Sequence, residues 1–226
     1  MRRMIALWSI VVMLIGAMGI VTAQNPGPAA ARPDPNSVKL IGNRFAPLTY
    51  ASMTPEQKKM FEDLISGERR GASGPFNVLL RSPEMGNLAQ QFGASMRFHS
   101  SMKPKLNEMA IIITARHLTS QYEWYAHRRA AATAGLNESI IQAIATGKRP
   151  TGMDPDEETV YNFCTELLTT KQMSDKTFAA TKAKFGERGV VDLIGVTGYY
   201  QLVSMLLNTD KYPLPDGVSP ELKPLQ

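Results

Sequence analysis

The chain of 226 residues carries 25 Lys and Arg against 20 Asp and Glu, a net charge of +5, and 43% of its residues are hydrophobic. This length fits one folded domain with tails. The apolar composition excludes a disordered chain. The net charge is modest and no stripe of basic residues is present, so no nucleic-acid partner is predicted. The single cysteine excludes an intrachain disulfide framework, a Cys-x-x-Cys redox pair and a multi-cysteine zinc site.

Residues 1–23 have the parts of an export signal. Arg2 and Arg3 precede an apolar run over residues 5–21, and small residues end at Ala23. The run is long for a signal peptide and nearly long enough to span a bilayer, so it is either a signal cleaved after Ala23 or an uncleaved membrane anchor. Both alternatives predict an exported protein, periplasmic or secreted. The protein would contact a membrane only if residues 1–23 remain uncleaved.

The composition divides the rest of the chain into three parts. Residues 24–47 are rich in Pro and Ala at their start and are interpreted as a linker. Residues 48–212 carry helical patterns and form the predicted domain. Residues 213–226 are a Pro-rich tail, expected to lie extended over the body or over a neighbouring subunit.

Helix start and stop signals divide the domain into about eight helices. Thr54-Pro55-Glu56-Gln57 is a capping box with Pro at the first helical position. The predicted helices run over about 54–66, 82–96, 104–119, 120–134 and 137–147, then from Asp154, from Ser174, and over about 187–208. The last is apolar but interrupted by Asp192 and Gln201, which indicates a buried core helix. No alternating run predicts a strand, so the fold class is all-α.

The segment 107–132 holds two of the three histidines and the candidate catalytic groups. Glu123 and His127 are four residues apart on one helix and therefore share a face. A carboxylate beside an imidazole favours the charged ring and raises its pKa, a common arrangement in acid–base catalysis. If this helix and the preceding one form a hairpin, Glu108 can reach the same site, whereas His117 points the other way.

Each of these residues also has a structural interpretation. Ser120 and Glu123 satisfy the Ser-x-x-Glu capping box, and His127 could be a buried histidine bonded to a carboxylate. Aromatic residues here could simply pack in the core, and Arg116 could form an ion pair. Cys164, inside an apolar helix, fits an inert buried thiol better than a nucleophile. The Glu-x-x-x-His spacing matches no zinc or di-iron pattern, so no metal is predicted.

Three segments carry a family resemblance: GPFNVLLRSPEMG at 74–86, TARHLTSQYEWYAHRRAAATAGL at 114–136 and ERGVVDLIGVTGYYQLVSMLLN at 187–208. Together they resemble the carboxymuconolactone decarboxylase-like family, which is related to the alkylhydroperoxidase D-like proteins. The resemblance covers about residues 48–215. It implies an all-helical domain and a homo-oligomer, usually a trimer or hexamer.

The peroxidase branch of that family uses a Glu, a Cys-x-x-Cys pair at a helix start, and a His four residues after the second Cys. Glu108 and His127 match the Glu and the His. Ser120 and Glu123 stand at the two cysteine positions, and neither side chain can form a disulfide. By this resemblance, the chain keeps the proton-relay residues of that branch but lacks its redox cysteines.

The decarboxylase branch needs neither a thiol nor a cofactor, and the residues fit it better. His127 is the expected general acid or base, with Glu123 or Glu108 as its partner. Arg116, or backbone N–H groups at the helix start near Ser120, would hold a substrate carboxylate. Tyr122 and Trp124 complete the predicted substrate-binding set.

Three functions stay open at this point. The first is cofactor-free lyase, isomerase or lactone hydrolase chemistry on a small carboxylated or lactone substrate. The second is a hydroperoxidase that works through Cys164 alone. The third is a non-catalytic exported binding or assembly protein, in which Tyr122, Trp124 and Tyr125 line a ligand pocket or an interface.

Overall fold

The computed structural model describes residues 32–224, and every regular element in this part of the chain is helical. The predicted all-α class is confirmed. The export segment, the first part of the predicted linker and residues 225–226 lie outside the described residues. The elements are a 3-10 helix (Tyr50–Ser52) and the α-helices α1 (Pro55–Ser66), α2 (Phe76–Leu79), α3 (Pro83–Phe98), α4 (Pro104–His117), α5 (Gln121–Thr133), α6 (Glu138–Ala145), α7 (Pro155–Thr170) and α8 (Asp175–Asp210).

Helix α4 lies at the centre of the larger hydrophobic core. From Leu106 to Arg116 every residue except Glu108 is buried. Helices α5, α6, α7 and α8 pack around it. A helix that is apolar on all faces has to be enclosed in this way. A smaller core joins α1, α2 and α3.

Side-chain caps fix four of the predicted helix starts, at Thr54, Asn137, Asp154 and Ser174. Thr54 Oγ1 accepts the Gln57 N–H at 3.3 Å, and Gln57 Oε1 accepts the Thr54 N–H at 3.0 Å. Asp154 and Glu157 form the equivalent reciprocal pair at the start of α7. Each such pair satisfies N–H groups that the helix itself leaves without partners.

The predicted boundary between the seventh and eighth helices is present as a kink in α8, where the backbone of Gly186 is non-helical with a φ of 69°. Glycine adopts this left-handed conformation without the penalty of a Cβ. The short α2 was not predicted, because four residues are too few to show a helical period.

The apolar character of α8 is explained by its packing. It is the one helix among residues 32–224 that is long and apolar enough to cross a membrane by length and composition, and half of its most apolar window is buried. It contacts α3, α4, α5 and α7.

Both ends of the described chain lie against the helical body. The buried carboxylate of Asp210 accepts the N–H groups of Asn43 at 3.1 Å and Phe45 at 2.8 Å. In the tail, Gln121 exchanges two hydrogen bonds with the backbone of Leu222, at 2.7 and 3.1 Å. The side chain of Leu222 is buried in the larger core.

We expect the contact between α3 and α8 to tolerate no added volume at Gly93. A Cβ built there would lie 2.0 Å from Cζ of Tyr199, whereas one at Gly198 would meet nothing within 4 Å. Gly93→Ala should lower the free energy of unfolding by about 1–3 kcal/mol, as overpacking does. Gly198→Ala should raise it by up to about 1 kcal/mol through helix propensity. Urea unfolding measures both, and equal stabilities would contradict the close contact.

Candidate active site

A helical hairpin brings the two halves of the site together. α4 ends at His117, a short turn follows, and α5 runs back along α4. Glu108, the one residue of the central stretch of α4 that is not fully buried, meets His127 from the middle of α5. The distance from Glu108 Oε2 to His127 Nδ1 is 2.6 Å. The predicted convergence of these two residues is present in the structure.

The second ring nitrogen of His127 faces another carboxylate. Glu123 lies one turn earlier on α5, and its Oε1 is 3.0 Å from His127 Nε2. The side chains of Glu123 and His127 are 5% and 6% exposed, so bulk water screens this contact little. The imidazole is therefore held between two carboxylates, one from each helix.

These carboxylates decide the charge of His127. Burial by itself disfavours the imidazolium, but the charge of Glu123, the hydrogen bond that the ring donates to Glu108 and their further interactions outweigh it and raise the pKa of His127 to about 9. The raised pKa favours the protonated ring at neutral pH.

Helix α8 covers the ring with two tyrosines. Tyr200 packs edge-on against His127, with ring centroids 5.0 Å apart, and Tyr199 packs edge-on against Tyr200 at 5.2 Å. Burial raises the pKa of both phenols. The Tyr200 hydroxyl is buried and has no hydrogen-bond partner among the described residues. It is a neutral donor available beside the imidazolium.

A cavity of about 140 Å³ opens beside Glu123 and His127. Glu108 is not among the residues that line it, so this carboxylate holds the ring from outside. The cavity contains both acidic and basic groups in its wall. The lining residues are Arg69, Ser73, Gly74, Pro75, Phe76, Arg97, Tyr122, Glu123, Ala126, His127, Tyr199, Tyr200 and Val203.

Arg69 gives the cavity an unpaired positive group. Its Nε and Nη2 atoms are buried and have no hydrogen-bond partner among the described residues. Its guanidinium lies over the rings of Phe76 and Phe98, 5.3 and 5.8 Å from their centroids. Arg69 as a whole is partly exposed, but its two buried donors lack partners, so this position favours an anionic ligand. Arg97 adds a second positive charge to the wall.

The predicted substrate-binding residues are divided by the structure. Tyr122 lines the cavity and packs against Tyr212, with centroids 4.3 Å apart. Trp124 is buried in the larger core, and Arg116 lines a different cavity on the far end of α4. Ser120 lines a third cavity together with Gln121.

The capping interpretation of Ser120 and Glu123 is wrong. The Ser120 hydroxyl makes no capping hydrogen bond and has no partner among the described residues. The Glu123 carboxylate turns towards His127 instead, because an imidazolium attracts it more strongly than a backbone N–H does.

Sequence reasoning missed Arg69, Arg97, Tyr199 and Tyr200. The two arginines lie at or near the ends of other helices and have no fixed spacing to the Glu-x-x-x-His pair. The adjacent tyrosines lie in segment 187–208, the third of the segments that resemble the family. This resemblance was the one sequence feature that could have pointed to them.

The single cysteine lies away from this cavity. Cys164 is fully buried, and its Sγ is 3.6 Å from Thr197 Oγ1. Burial raises the pKa of its thiol to about 12, so almost no reactive thiolate forms at neutral pH.

No group of three or more His, Cys, Asp and Glu side chains within residues 32–224 is arranged to hold a metal ion. No family model matches the chain, and no curated protein matches it either.

We expect the proton on His127 to make stability depend on pH. Its pKa is raised in the folded state, so the contribution is complete below the unfolded value of about 6.5 and is lost as the pH rises through about 9. The free energy of unfolding should fall by on the order of 3 kcal/mol across this window. His127→Gln should flatten the fall. His99→Gln, which removes an exposed histidine paired with Glu68, should keep it. Urea unfolding at several pH values measures the slopes, and equal slopes in all three proteins would refute the raised pKa.

We expect Cys164 to be unreactive in the folded protein. A chromogenic disulfide reagent at neutral pH should label it many times more slowly than it labels the same chain in denaturant, since the thiol is fully buried. Labelling of the folded protein at the rate of a free thiol would show that the thiol is accessible.

Proposed function

We propose that the chain is an exported carboxymuconolactone decarboxylase-like enzyme. It performs cofactor-free acid–base chemistry, as a lyase, isomerase or lactone hydrolase, on a small carboxylated or lactone substrate. One observation carries the proposal: a protonated imidazole held by Glu108 and Glu123 adjoins a cavity in which Arg69 has no anionic partner.

Arg69 and Arg97 supply the binding part of the proposal. A guanidinium presents paired N–H donors that match the two oxygens of a carboxylate, and Arg69 has donors free for this purpose. The volume of about 140 Å³ limits the substrate to a small molecule, on the order of one ring with its substituents. The tyrosine rings around the cavity supply apolar contact for such a ring.

Glu123 and His127 supply the proton-transfer part. In an isomerisation, Glu123 would take a proton from the carbon beside a carbonyl and return it to another carbon. In a decarboxylation, the substrate carboxylate leaves as CO2 while the electron pair of the broken C–C bond moves into the neighbouring carbonyl. The resulting enolate takes its proton from the His127 imidazolium, and the neutral ring then recovers a proton from solvent. Glu108 stays outside the cavity and keeps the ring oriented and charged.

The same geometry also supports a second candidate, an anion-binding protein without turnover. Both ring nitrogens of His127 already face carboxylates. This arrangement would hold the hairpin together even in a protein that has no catalytic activity. The thiol-peroxidase alternative has no such support, because Cys164 is buried and its thiol pKa is raised.

We further propose that export uses residues 1–23 and that the protein assembles as a homo-oligomer. Large apolar side chains on α3 and α8 support assembly, since Leu88 is 70% exposed, Val191 64% and Met205 52%. These side chains lie on two helices that contact each other, and an exposed apolar surface shared by them would suit an interface between subunits.

The proposal can be tested by a thermal-shift screen of aromatic acids and lactones, followed by turnover assays on the hits. A ligand that binds the folded state should raise the melting temperature of the wild type, Glu123→Gln and His127→Gln, because these variants keep Arg69. Arg69→Gln should lose the shift. Glu123→Gln and His127→Gln should lower kcat by about 10²–10⁴, the usual contribution of acid–base catalysis.

Two control variants keep the cavity intact. Arg188→Gln removes an arginine that is 76% exposed, and Cys164→Ala removes the thiol. Both should keep the ligand shift and the turnover. Full activity in His127→Gln would refute the catalytic assignment, and ligand shifts without turnover of any hit would establish the second candidate.

A further inference from the structure

A second cavity of about 140 Å³ lies between α4, the end of α6 and α7. It shares no lining residue with the candidate active site. The residues that line it are Ile113, Arg116, His117, Ile144, Gly147, Lys148, Tyr161, Thr165, Leu168 and Thr169.

Arg116 is the unusual group in this wall. It is 4% exposed, and its Nη2 donates one hydrogen bond, at 2.7 Å, to the carbonyl oxygen of Lys223. Its Nε and Nη1 atoms are buried and have no partner among the described residues. Burial lowers the pKa of the guanidinium. A buried cation with unsatisfied donors is unfavourable, and an anion that pairs with it would offset this penalty.

The neighbouring charges reinforce the same preference. Lys148 also lines the cavity, and none of the lining residues is an Asp or a Glu. Burial and the nearby charge of Lys171 lower the pKa of His117, which favours its neutral form, so this imidazole can donate a hydrogen bond but adds no positive charge. The cavity is therefore a site of positive potential within the described residues.

The rest of the cavity wall indicates what the uncharged part of the ligand would be. Ile113, Ile144 and Leu168 form an apolar surface, and the hydroxyl groups come from the side chains of Tyr161, Thr165 and Thr169. An apolar cavity of about 150 Å³ can hold one benzene ring, so a volume of this size fits a single ring or a short alkyl chain. The wall combines that apolar surface with an unpaired guanidinium.

We propose that this cavity, here called the Arg116 cavity, binds a small amphipathic carboxylate. The carboxylate pairs with Arg116, and a ring or short chain lies against Ile113 and Ile144. This site is separate from the candidate active site, and the inference does not depend on the proposed function.

The test uses benzoate as the probe and the isoleucine methyl groups as reporters. In a protein carrying ¹³C-labelled isoleucine δ-methyl groups, millimolar benzoate should shift the signals of Ile113 and Ile144, which line only this cavity. The neutral analogue benzamide should leave them unchanged. Arg116→Gln should weaken benzoate binding at least tenfold, as expected for loss of a charge-assisted pair. Lys148→Ala, an exposed partner, should weaken it by only about threefold.

Two further variants keep the result interpretable if Arg116→Gln folds poorly through loss of its bond to Lys223. Thr165→Leu fills the cavity and leaves Arg116 in place, so it should abolish the methyl shifts. Arg69→Gln alters only the candidate active site and should keep them. Unshifted Ile113 and Ile144 signals in the wild type, or equal shifts with benzamide, would overturn the proposal whatever the fate of the candidate active site.

Discussion

The contact of one buried imidazolium with two carboxylates organises the site and couples it to the fold. His127 can keep its proton at low exposure only because Glu108 and Glu123 approach its two nitrogens at 2.6 and 3.0 Å. Glu108 reaches it only because α4 and α5 form a close hairpin, and α4 can lie there only because its other faces are enclosed by the core. Losing the imidazolium would leave the two carboxylates close together without a cation between them, which is much costlier than losing an exposed ion pair.

The sequence was sufficient for the part of the site that depends on local geometry. Four residues separate Glu123 from His127, and helical periodicity alone places them on one face. The hairpin followed from two adjacent helices with a short connection, so Glu108 could be predicted as the third member. The helix starts were equally local, since Thr54 and Asp154 act on N–H groups within one turn.

The sequence was not sufficient for the cationic wall of the cavity. Arg116 seemed the natural anion-binding residue because it is close to His127 in sequence. On α4, however, it lies eight residues after Glu108, about 12 Å further along the axis and about 80° around it. It therefore faces α6 and α7. The cavity beside His127 instead contains Arg69, which lies in the segment that follows α1. Because Arg69 is far from His127 in sequence, its approach depends on how α1, α2 and α3 pack as a unit.

Arg69 and Arg116 lie in two cavities that differ in their other chemical groups. Both cavities carry a guanidinium with unsatisfied buried donors, so both favour anions. Of these two cavities, that of Arg69 also contains a carboxylate and a histidine in contact with each other, so a bound anion would lie beside groups that can accept or donate a proton. The Arg116 cavity has basic and apolar groups but no carboxylate in its lining. Its chemistry supports binding alone, whereas that of the first cavity supports binding coupled to proton transfer.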